Sequence, residues 1–524
     1  MRKFGFVLLG FTALVLAGSI ARADMMDDQS DNKKFSIHGE VRFRAEMWNN
    51  MTDFTDTTSY GTYPKGYSNS TFGGTDDSFD IWPYRVRLAA KGDLGNDIYV
   101  YGEFQGSGVS GGGLYGETQP FFGDDTEVLS GGVHLYQGWV KAKDVGNTVL
   151  DLKFGRQEIA FDTGLQFSAL NFYNGIHHDA VRATWDWDNF RIDGFWMKNF
   201  EANQGAGFLL PFDNADDQTF GAHAEQKIGA DHDQNLSYYV IAMQQRSFYD
   251  SASAKNYTVG VRYAHDLMDD NGFVWNAELG YQFGDWQPCA TTSTGFTAAF
   301  DLYNGPISFP CPDNFDLKAT VFEGMFGYNW HDGSTNQRVW GGVNYASGDK
   351  DPNDMDMKAY MPLYTDFHNR LGYADLFAES NITAYSIGYS LNLDNKHMFG
   401  ATLYQFNKTE KEGVVYSPLG VGSQQNTETN YIYSLNTVYP CFDGQTPPSG
   451  KSCSDDLGQE LDLSYGYNMT SNFGFDVALS YFKPGDAIEN QVSNYGDTGS
   501  GGSTTSGAGG DNAMRLTGQV RARW

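Results

Sequence analysis

Strand-length segments with alternating apolar and polar side chains recur through this chain, and they constrain its fold more than any other feature. The C-terminal segment 511–524 shows the pattern clearly. Its two parities read Met514, Leu516, Gly518, Val520, Ala522 and Trp524 against Arg515, Thr517, Gln519, Arg521 and Arg523. Successive strand residues point to opposite faces, so one face is apolar and the other is charged. A membrane barrel uses such a strand well, because lipid contacts one face and a wet lumen the other. We therefore expect a barrel whose last strand pairs with its first.

Eighteen such segments can be placed along the chain. We expect strands at 35–48, 79–91, 97–106, 132–143, 148–159, 178–187, 190–200, 218–229, 234–248, 256–266, 272–284, 316–330, 336–346, 382–393, 396–408, 458–470, 472–483 and 512–524. Connections after even-numbered strands are short, as at 188–189, whereas those after odd-numbered strands are mostly long, as at 107–131. This alternation is typical of outer-membrane barrels, which have short periplasmic turns and long extracellular loops. The prediction is an all-β, antiparallel up-and-down transmembrane barrel of about 18 strands.

The N-terminus has the features of a secretory signal. Arg2 and Lys3 precede the apolar stretch 4–17, and residues 21–23 (Ala-Arg-Ala) form a small-x-small cleavage site. We expect residues 1–23 to be removed. Residues 24–34 then form a short N-terminal segment, and residues 35–524 form a single barrel domain. The predicted location is the bacterial outer membrane, in contact with lipid and lipopolysaccharide.

The four cysteines lie in two pairs within predicted long loops. Cys289 and Cys311 flank one irregular segment, and Cys441 and Cys453 flank another. An exported protein meets an oxidising compartment, so we expect two local disulfides. The sequence has no Cys-x-x-Cys, His-x-x-x-His or Walker-type loop, and we expect neither cofactor nor metal.

Charge is distributed unevenly. Acidic residues outnumber basic ones 65 to 35, which gives a formal net charge of -30 and disfavours nucleic acid as a partner. The parity predicted to face the lumen is nevertheless rich in arginine. The residues are Arg42, Arg44, Arg85, Arg87, Lys91, Arg182, Arg191, Arg262, Arg515, Arg521 and Arg523. Guanidinium groups bind carboxylates through paired N–H donors, and basic rings favour anions in a pore. We interpret this wall as an anion-selective path.

A second interpretation of the arginines is compatible with the first. They pair with acids of the lumen and brace the wall. The candidate partners are Glu40, Glu103, Asp193, Glu278, Glu460 and Asp462. Arg156 stands apart, because strict parity points it at lipid. Either it lies near its strand end, or Gly155 forms a bulge that turns it inward. Tyr99, Tyr101 and Trp139 either stack on sugar rings or fill space.

Three stretches resemble the alginate export family of outer-membrane barrels. They are LKFGRQEI at 152–159 with DAVR at 179–182, the segment 346–377 that contains His368, Gly372 and Asp375, and the segment 458–486 that ends in FKPGD. The resemblance implies a monomeric eighteen-stranded barrel, an arginine-lined lumen and passage of an anionic uronic-acid polymer. It also implies that Trp524 is presented to the barrel assembly machinery and that loop 347–381 forms a constriction. The short turns depart from the polymer exporters of the family and favour small solutes.

The leading functional hypothesis is a passive channel for anionic small molecules or polysaccharides. One alternative is a sheath that holds a partner protein, such as an electron carrier, inside the lumen. The other is an outer-membrane hydrolase, for which His177-His178-Asp179 is the densest cluster. No nucleophile pattern completes that cluster, and we expect no enzyme activity.

Overall fold

The computed structural model describes most of the predicted wall and two of the long connections. The described residues are 34–50, 79–109, 133–201, 216–229, 233–246, 253–266, 271–287, 289–291, 297–299, 315–351, 354, 356–413, 415, 454–489 and 511–524. The predicted signal peptide, Cys311, Cys441 and Cys453 lie outside this set, and the side chain of Cys289 is not described. The cleavage site and both disulfides therefore stay predictions.

Eighteen antiparallel strands form the wall of a closed barrel. They are β1 Phe35–Asn49, β2 Pro83–Gly95, β3 Ile98–Val109, β4 Val133–Ala142, β5 Leu150–Gln157, β6 His178–Trp187, β7 Phe190–Glu201, β8 Asp216–Ile228, β9 Gln234–Arg246, β10 Ser253–His265, β11 Gly272–Gln287, β12 Phe315–Asp332, β13 Thr335–Ala346, β14 Ile382–Leu393, β15 His397–Lys408, β16 Asp456–Asn468, β17 Phe473–Pro484 and β18 Ala513–Arg523. β1 pairs with both β2 and β18, so the wall has no free edge. Closure leaves no unpaired strand backbone facing lipid. The predicted fold and strand number are confirmed.

Short elements accompany the wall. Phe79–Ile81 pairs with the end of β1, and Asp356–Met357 pairs in parallel with β12. Cys289–Thr291 and Thr297–Ala299 form a hairpin, and α1 spans Asp486–Glu489. No helix in the described part of the chain is long and apolar enough to span a membrane.

The predicted parity is realised along β1. Its outward side chains Ile37, Phe43 and Met47 are each 55% exposed, whereas Arg42 and Arg44 point inward and are 5% and 3% exposed. Apolar groups thus face lipid, and charged groups are placed in the lumen, where other polar groups can partner them.

The turn between β2 and β3 differs from the prediction. The sequence suggested a turn over 92–96, but β2 continues to Gly95 and the turn is Asn96-Asp97. Both turn residues have positive φ, 54° and 60°, as a type I′ hairpin turn requires. A register shift between Asp93 and Gly95 (φ 82°) absorbs the extra residue as a bulge.

Two long connections fold back into the barrel. We call residues 158–177 the first inward loop and residues 347–381 the second inward loop. Leu165, Tyr360, Leu371 and Phe377 of these loops are almost fully buried and pack with apolar side chains of the wall in one cluster. Other loop residues, such as Phe167, pack with the wall in a second cluster. The loops also pair with each other, since the Ser168 amide donates to Tyr364 O (2.9 Å) and the Tyr364 amide to Gln166 O (3.0 Å). Together they form a layer inside the lumen.

Candidate functional site: an arginine cluster at the periplasmic end of the lumen

A cavity of about 1460 Å³ occupies the lumen on the side of the short turns. Asn189, Asn395 and Ser471 of those turns line its mouth, and Phe172 and His368 of the inward loops line its inner end. Because short turns of outer-membrane barrels face the periplasm, the cavity opens on that side. The inward loops bound it toward the extracellular side.

The lining of this cavity is balanced in total charge but not locally. Twelve lysine and arginine side chains and twelve carboxylates line it among the described residues. The basic residues are Arg42, Arg85, Lys141, Lys143, Lys153, Arg182, Arg191, Lys227, Arg262, Lys396, Arg521 and Arg523. Any preference for anions must therefore come from the local arrangement of charges.

Four guanidinium groups surround one carboxylate where the barrel closes. Arg42 lies directly across from Arg85 on β2 and from Arg521 on β18, and Glu40 lies across from Arg523. Glu40 accepts from Arg85 Nη2 (2.5 Å) through one oxygen and from Arg523 Nε (3.0 Å) through the other. We call Arg42, Arg85, Arg521 and Arg523 the arginine cluster. It carries four positive charges against the single charge of Glu40.

Two members of the cluster have no carboxylate partner within ion-pair distance in the described part of the chain. Arg521 is half-buried and faces the cavity. Arg42 is 5% exposed, and its acceptors are backbone carbonyls of the first inward loop: Asn171 O at 2.6 Å and Tyr173 O at 2.5 Å. A buried guanidinium held only by neutral oxygens is left with uncompensated charge, which favours a bound anion.

Two other predicted arginines lie deeper and hold the first inward loop. Arg44 pairs with Glu46 (2.6 Å) and donates to Phe172 O (2.5 Å). Arg87 donates to Asn174 O (2.8 Å) and lies 3.9 Å from a Glu103 oxygen. The bracing interpretation therefore holds for these side chains.

Arg515 braces the second inward loop in the same way. It is 1% exposed and bonds to Glu46 (2.8 Å) and to Asp375. Asp375 also accepts from His368 Nδ1 (2.8 Å) and from the Tyr173 hydroxyl. Burial alone would raise the pKa of Asp375, but His368 and Arg515 lower it to about 2. Burial and the Asp375 charge raise the pKa of the Tyr173 hydroxyl.

The remaining predicted arginines lie on other sectors of the lumen. Arg182 and Arg191 share Asp193, at 2.8 Å and 3.0 Å. Arg262 pairs with Asp162 of the first inward loop (3.1 Å). All three arginines line the cavity.

Lys91 lies at the turn end of β2, away from the arginine cluster. Its ammonium is 5.6 Å from the ring centre of Tyr99. Tyr101 and Trp139 stack on each other at 5.0 Å and are 7% and 5% exposed, so in this arrangement the two rings fill the wall.

Three predicted partnerships differ in the structure. Glu460 and Asp462 accept hydrogen bonds from the backbone amides of Ala374 (2.9 Å) and Tyr373 (3.0 Å), so they hold the second inward loop. Neither carboxylate forms an ion pair with an arginine among the described residues. Glu278 accepts from the Thr163 hydroxyl at 3.3 Å. These three carboxylates lie beneath the folded inward loops, whose backbone amides and Thr163 hydroxyl donate hydrogen bonds to them.

Arg156 faces outward near the end of β5, which settles the choice left open by parity. It forms a bidentate pair with Asp179, with distances of 2.9 Å and 3.0 Å. Gly155 has a φ of 120° but does not turn Arg156 into the lumen. The paired carboxylate lets the guanidinium lie on the outer face.

Sequence patterns did not reveal the contribution of the first inward loop. Every residue type has a backbone carbonyl, so the role of 171–174 cannot be recognised from residue identity. Phe172 lies in a segment without apolar periodicity. Arg370, which pairs with Glu323 and with Glu379 (3.4 Å), was also missed. It lies inside the family-like segment 346–377, which was the available signal.

Comparison with known proteins identifies a family. The profile of the family described as Alginate export matches residues 23–500. The comparison with curated proteins finds no match.

Solved structures of similar shape include Pseudomonas putida OprB, with 12% identity over 96% of both chains and a TM-score of 0.43. They also include the outer membrane protein opdK of Pseudomonas aeruginosa, with 9% identity over 93% of this chain and 99% of that one and a TM-score of 0.46. Acinetobacter baumannii OccAB1 has 11% identity over 93% and 96%, with a TM-score of 0.48. Because the family profile covers most of a closed eighteen-stranded barrel, the chain belongs to the alginate export family and is a porin-like channel of the bacterial outer membrane.

Proposed function

We propose that this channel passively conducts small anionic solutes, and that saccharide carboxylates such as uronates are its preferred class. The observation that supports this most directly is the arginine cluster, where four guanidinium groups lie around one described carboxylate, Glu40, at the surface of the periplasmic cavity. Planar N–H forks match the two oxygens of a carboxylate. The cluster therefore offers a carboxylate-binding surface that the total charge of the lining does not reveal.

The inward loops support small solutes over a polymer. They place almost fully buried side chains such as Leu165, Tyr360 and Phe377 inside the lumen. A polymer would have to thread past this packed layer, whereas a small solute needs only a local opening. The proposal therefore keeps the anionic substrate class and drops polymer export.

Neither alternative function gains support from the contacts. A partner protein would need the space that the inward loops occupy, since a 100-residue domain has a radius of gyration of about 13 Å. The side chains of the candidate hydrolase cluster lie on opposite faces of the wall. His178 faces inward against Tyr364 (4.6 Å between ring centres), while Asp179 faces outward and pairs with Arg156.

Reversal potentials in planar bilayers test the proposal. Wild-type protein should prefer chloride to potassium, and digalacturonate should change the chloride current at concentrations at which neutral maltose leaves it unchanged. The double variant Arg42→Gln/Arg521→Gln should lose most of both effects. The matched control is Arg338→Gln, because Arg338 is a lumen arginine that pairs with Asp266 outside the cluster. A wild-type channel that prefers cations, or a control that behaves like the double variant, would refute the proposal.

A further inference from the structure

Four consecutive backbone carbonyls of the first inward loop are held by arginines of β1 and β2. Asn171 O accepts from Arg42 and Arg85, and Tyr173 O accepts from the same two side chains, at distances from 2.5 to 3.2 Å. The carbonyls between and after them, at 172 and 174, accept from the arginines at positions 44 and 87. The backbone of 171–174 thus accepts hydrogen bonds from four guanidinium groups.

Carbonyl oxygens are weaker acceptors for these donors than carboxylates. The guanidinium donor is charged in both cases, but a carboxylate adds the Coulomb attraction of an opposite charge, which a neutral carbonyl oxygen does not. Arg42 has carbonyls as its only acceptors among the described residues, and Glu40 is already engaged by Arg85 and Arg523. An arriving carboxylate would therefore gain more from Arg42 than the loop carbonyls do.

The contact between loop and arginines can be reached from the cavity. Arg42, Arg85, Asn171 and Phe172 all line it, and Arg521 lies beside Arg42 on the next strand. A solute entering from the periplasmic side meets Arg521 and Arg42 where the first inward loop is attached.

Phe172 connects this attachment to the second inward loop. Its ring stacks on His368 with 3.4 Å between ring centres. The guanidinium of Arg44, on β1, lies 4.1 Å from the centre of the Phe172 ring. His368 in turn bonds to Asp375 (2.8 Å), which Arg515 holds. Movement of 171–174 would therefore loosen the joint between the two loops.

We propose that segment 171–174 is a displaceable internal ligand of the arginines, and that a carboxylate solute opens the channel by replacing its carbonyl oxygens at Arg42 and Arg85. The inference rests on the proposed function, because it assigns the same anionic solutes a second role as the opening signal. No covalent bond is made or broken in this step. Two guanidinium groups exchange neutral acceptors for a charged one, and the segment leaves the wall.

Hydrogen exchange measured by mass spectrometry on the protein in lipid nanodiscs tests this. The amides of Tyr173 and Ile176 are the reporters, because they donate within the loop to Leu170 O (3.0 Å) and Ala169 O (2.9 Å). Saturating trigalacturonate should speed exchange of the peptide that contains them at least tenfold, while maltotriose at the same concentration should not.

Variants separate release of the segment from capture of the ligand. Arg42→Gln should exchange faster than wild type without ligand, because the carbonyls of Asn171 and Tyr173 each lose one of their two guanidinium donors. Arg521→Gln should exchange slowly without ligand and should need at least tenfold more trigalacturonate, because Arg521 bonds to the solute and not to the loop. Arg338→Gln should match wild type in both measurements.

Calorimetry of trigalacturonate binding distinguishes two kinds of failure. If the trisaccharide binds but exchange at 173–176 stays unchanged or slows, displacement is refuted and the channel proposal stands. If the trisaccharide does not bind at all, the proposed substrate class fails, and the inference fails with it.

Discussion

At the residue scale, the lumen arginines differ in what neutralises them. Arg515 lies between Glu46 and Asp375 and is 1% exposed, whereas Arg42 bonds to carbonyl oxygens. Removing one partner from a buried ion network leaves the others without compensation. Substitution of Arg515 should therefore lower the stability of the barrel, whereas substitution of Arg42 should change its ion selectivity.

Arg515→Gln should destabilise the barrel by about 3–5 kcal/mol, because Asp375 would be left buried without its guanidinium partner and Glu46 would keep only Arg44 as a guanidinium partner. Urea unfolding in detergent micelles measures this. Arg156→Gln is the matched control. It breaks an ion pair on the outer face whose side chains are 27% and 58% exposed, and it should cost about 1 kcal/mol or less. Equal losses in the two variants would contradict the ranking.

Gly39 is required where the barrel closes. Its amide and carbonyl both pair with Trp524, at 3.0 Å and 3.1 Å, and a Cβ on Gly39 would lie 2.2 Å from the Trp524 ring. Gly39→Ala should therefore push the terminal ring aside and cost about 1–3 kcal/mol. Gly518→Ala on β18 is the control, because its Cβ would meet no atom within 4 Å. Unfolding in micelles, compared between the two variants, measures the difference. Equal stabilities would show that Trp524 does not lock the closure.

Alternation predicted which side of each strand is charged but not what the charges bind. Arg42, Arg85 and Arg521 face the lumen as their parity requires. Glu40, which accepts from Arg85 and Arg523, was also predictable as a partner, because the strand neighbours follow from closure. The carbonyls of Asn171 and Tyr173 were not, because any residue supplies a carbonyl and the sequence does not state which loop returns to the wall.

At the element scale, the two inward loops differ in how much of them could be foreseen. The family-like segment 346–377 pointed to a constriction, and the structure places the second inward loop inside the lumen. Nothing in residues 158–177 distinguished that loop from one that remains outside. Its position depends on distant partners, such as Arg262 for Asp162 and Tyr239 for Gln166. Such contacts arise only when the whole barrel is closed.

Asp375 should make attachment of the second inward loop sensitive to acid. Its pKa is about 2, below the ordinary 3.8, because His368 and Arg515 outweigh the effect of burial. A lowered pKa stabilises the folded state above about pH 4, and that stability is lost as the pH falls through about 2. The free energy of unfolding of wild type should exceed that of Asp375→Asn by about 2 kcal/mol at pH 6, and the two values should converge near pH 2.

Urea titrations at several pH values measure this difference in the free energy of unfolding. Asp366→Asn is the control, because it removes a carboxylate of the same loop that accepts from Asn369 (2.7 Å) and from Ser168. It should give a smaller difference at every pH. A gap between wild type and Asp375→Asn that persists unchanged to pH 2 would contradict the role of the ion pairs.

At the scale of the whole molecule, strand number and closure were predictable because two independent signals agree. Side-chain parity places the strands, and the alternation of short and long connections orders them into hairpins. The parity comes from lipid on one face of the wall and the lumen on the other, and the loop lengths differ between the two ends of the barrel, so both signals recur along the chain. What fills the lumen is specific to a few residues, such as Leu165 and Phe377, and no repeating pattern encodes it.

The net charge of the whole molecule and that of its arginine cluster have opposite signs. The full chain carries a formal charge of -30, while four guanidinium groups surround Glu40 in the lumen. The Debye length falls from about 10 Å at 0.1 M salt to about 3 Å at 1 M, so exposed charges are screened more than buried ones. Arg42 is 5% exposed, so anion preference should persist at 1 M potassium chloride. Reversal potentials under a fixed concentration ratio at both salt levels measure this, and a preference that vanishes at 1 M would place the selectivity on exposed surface charge instead.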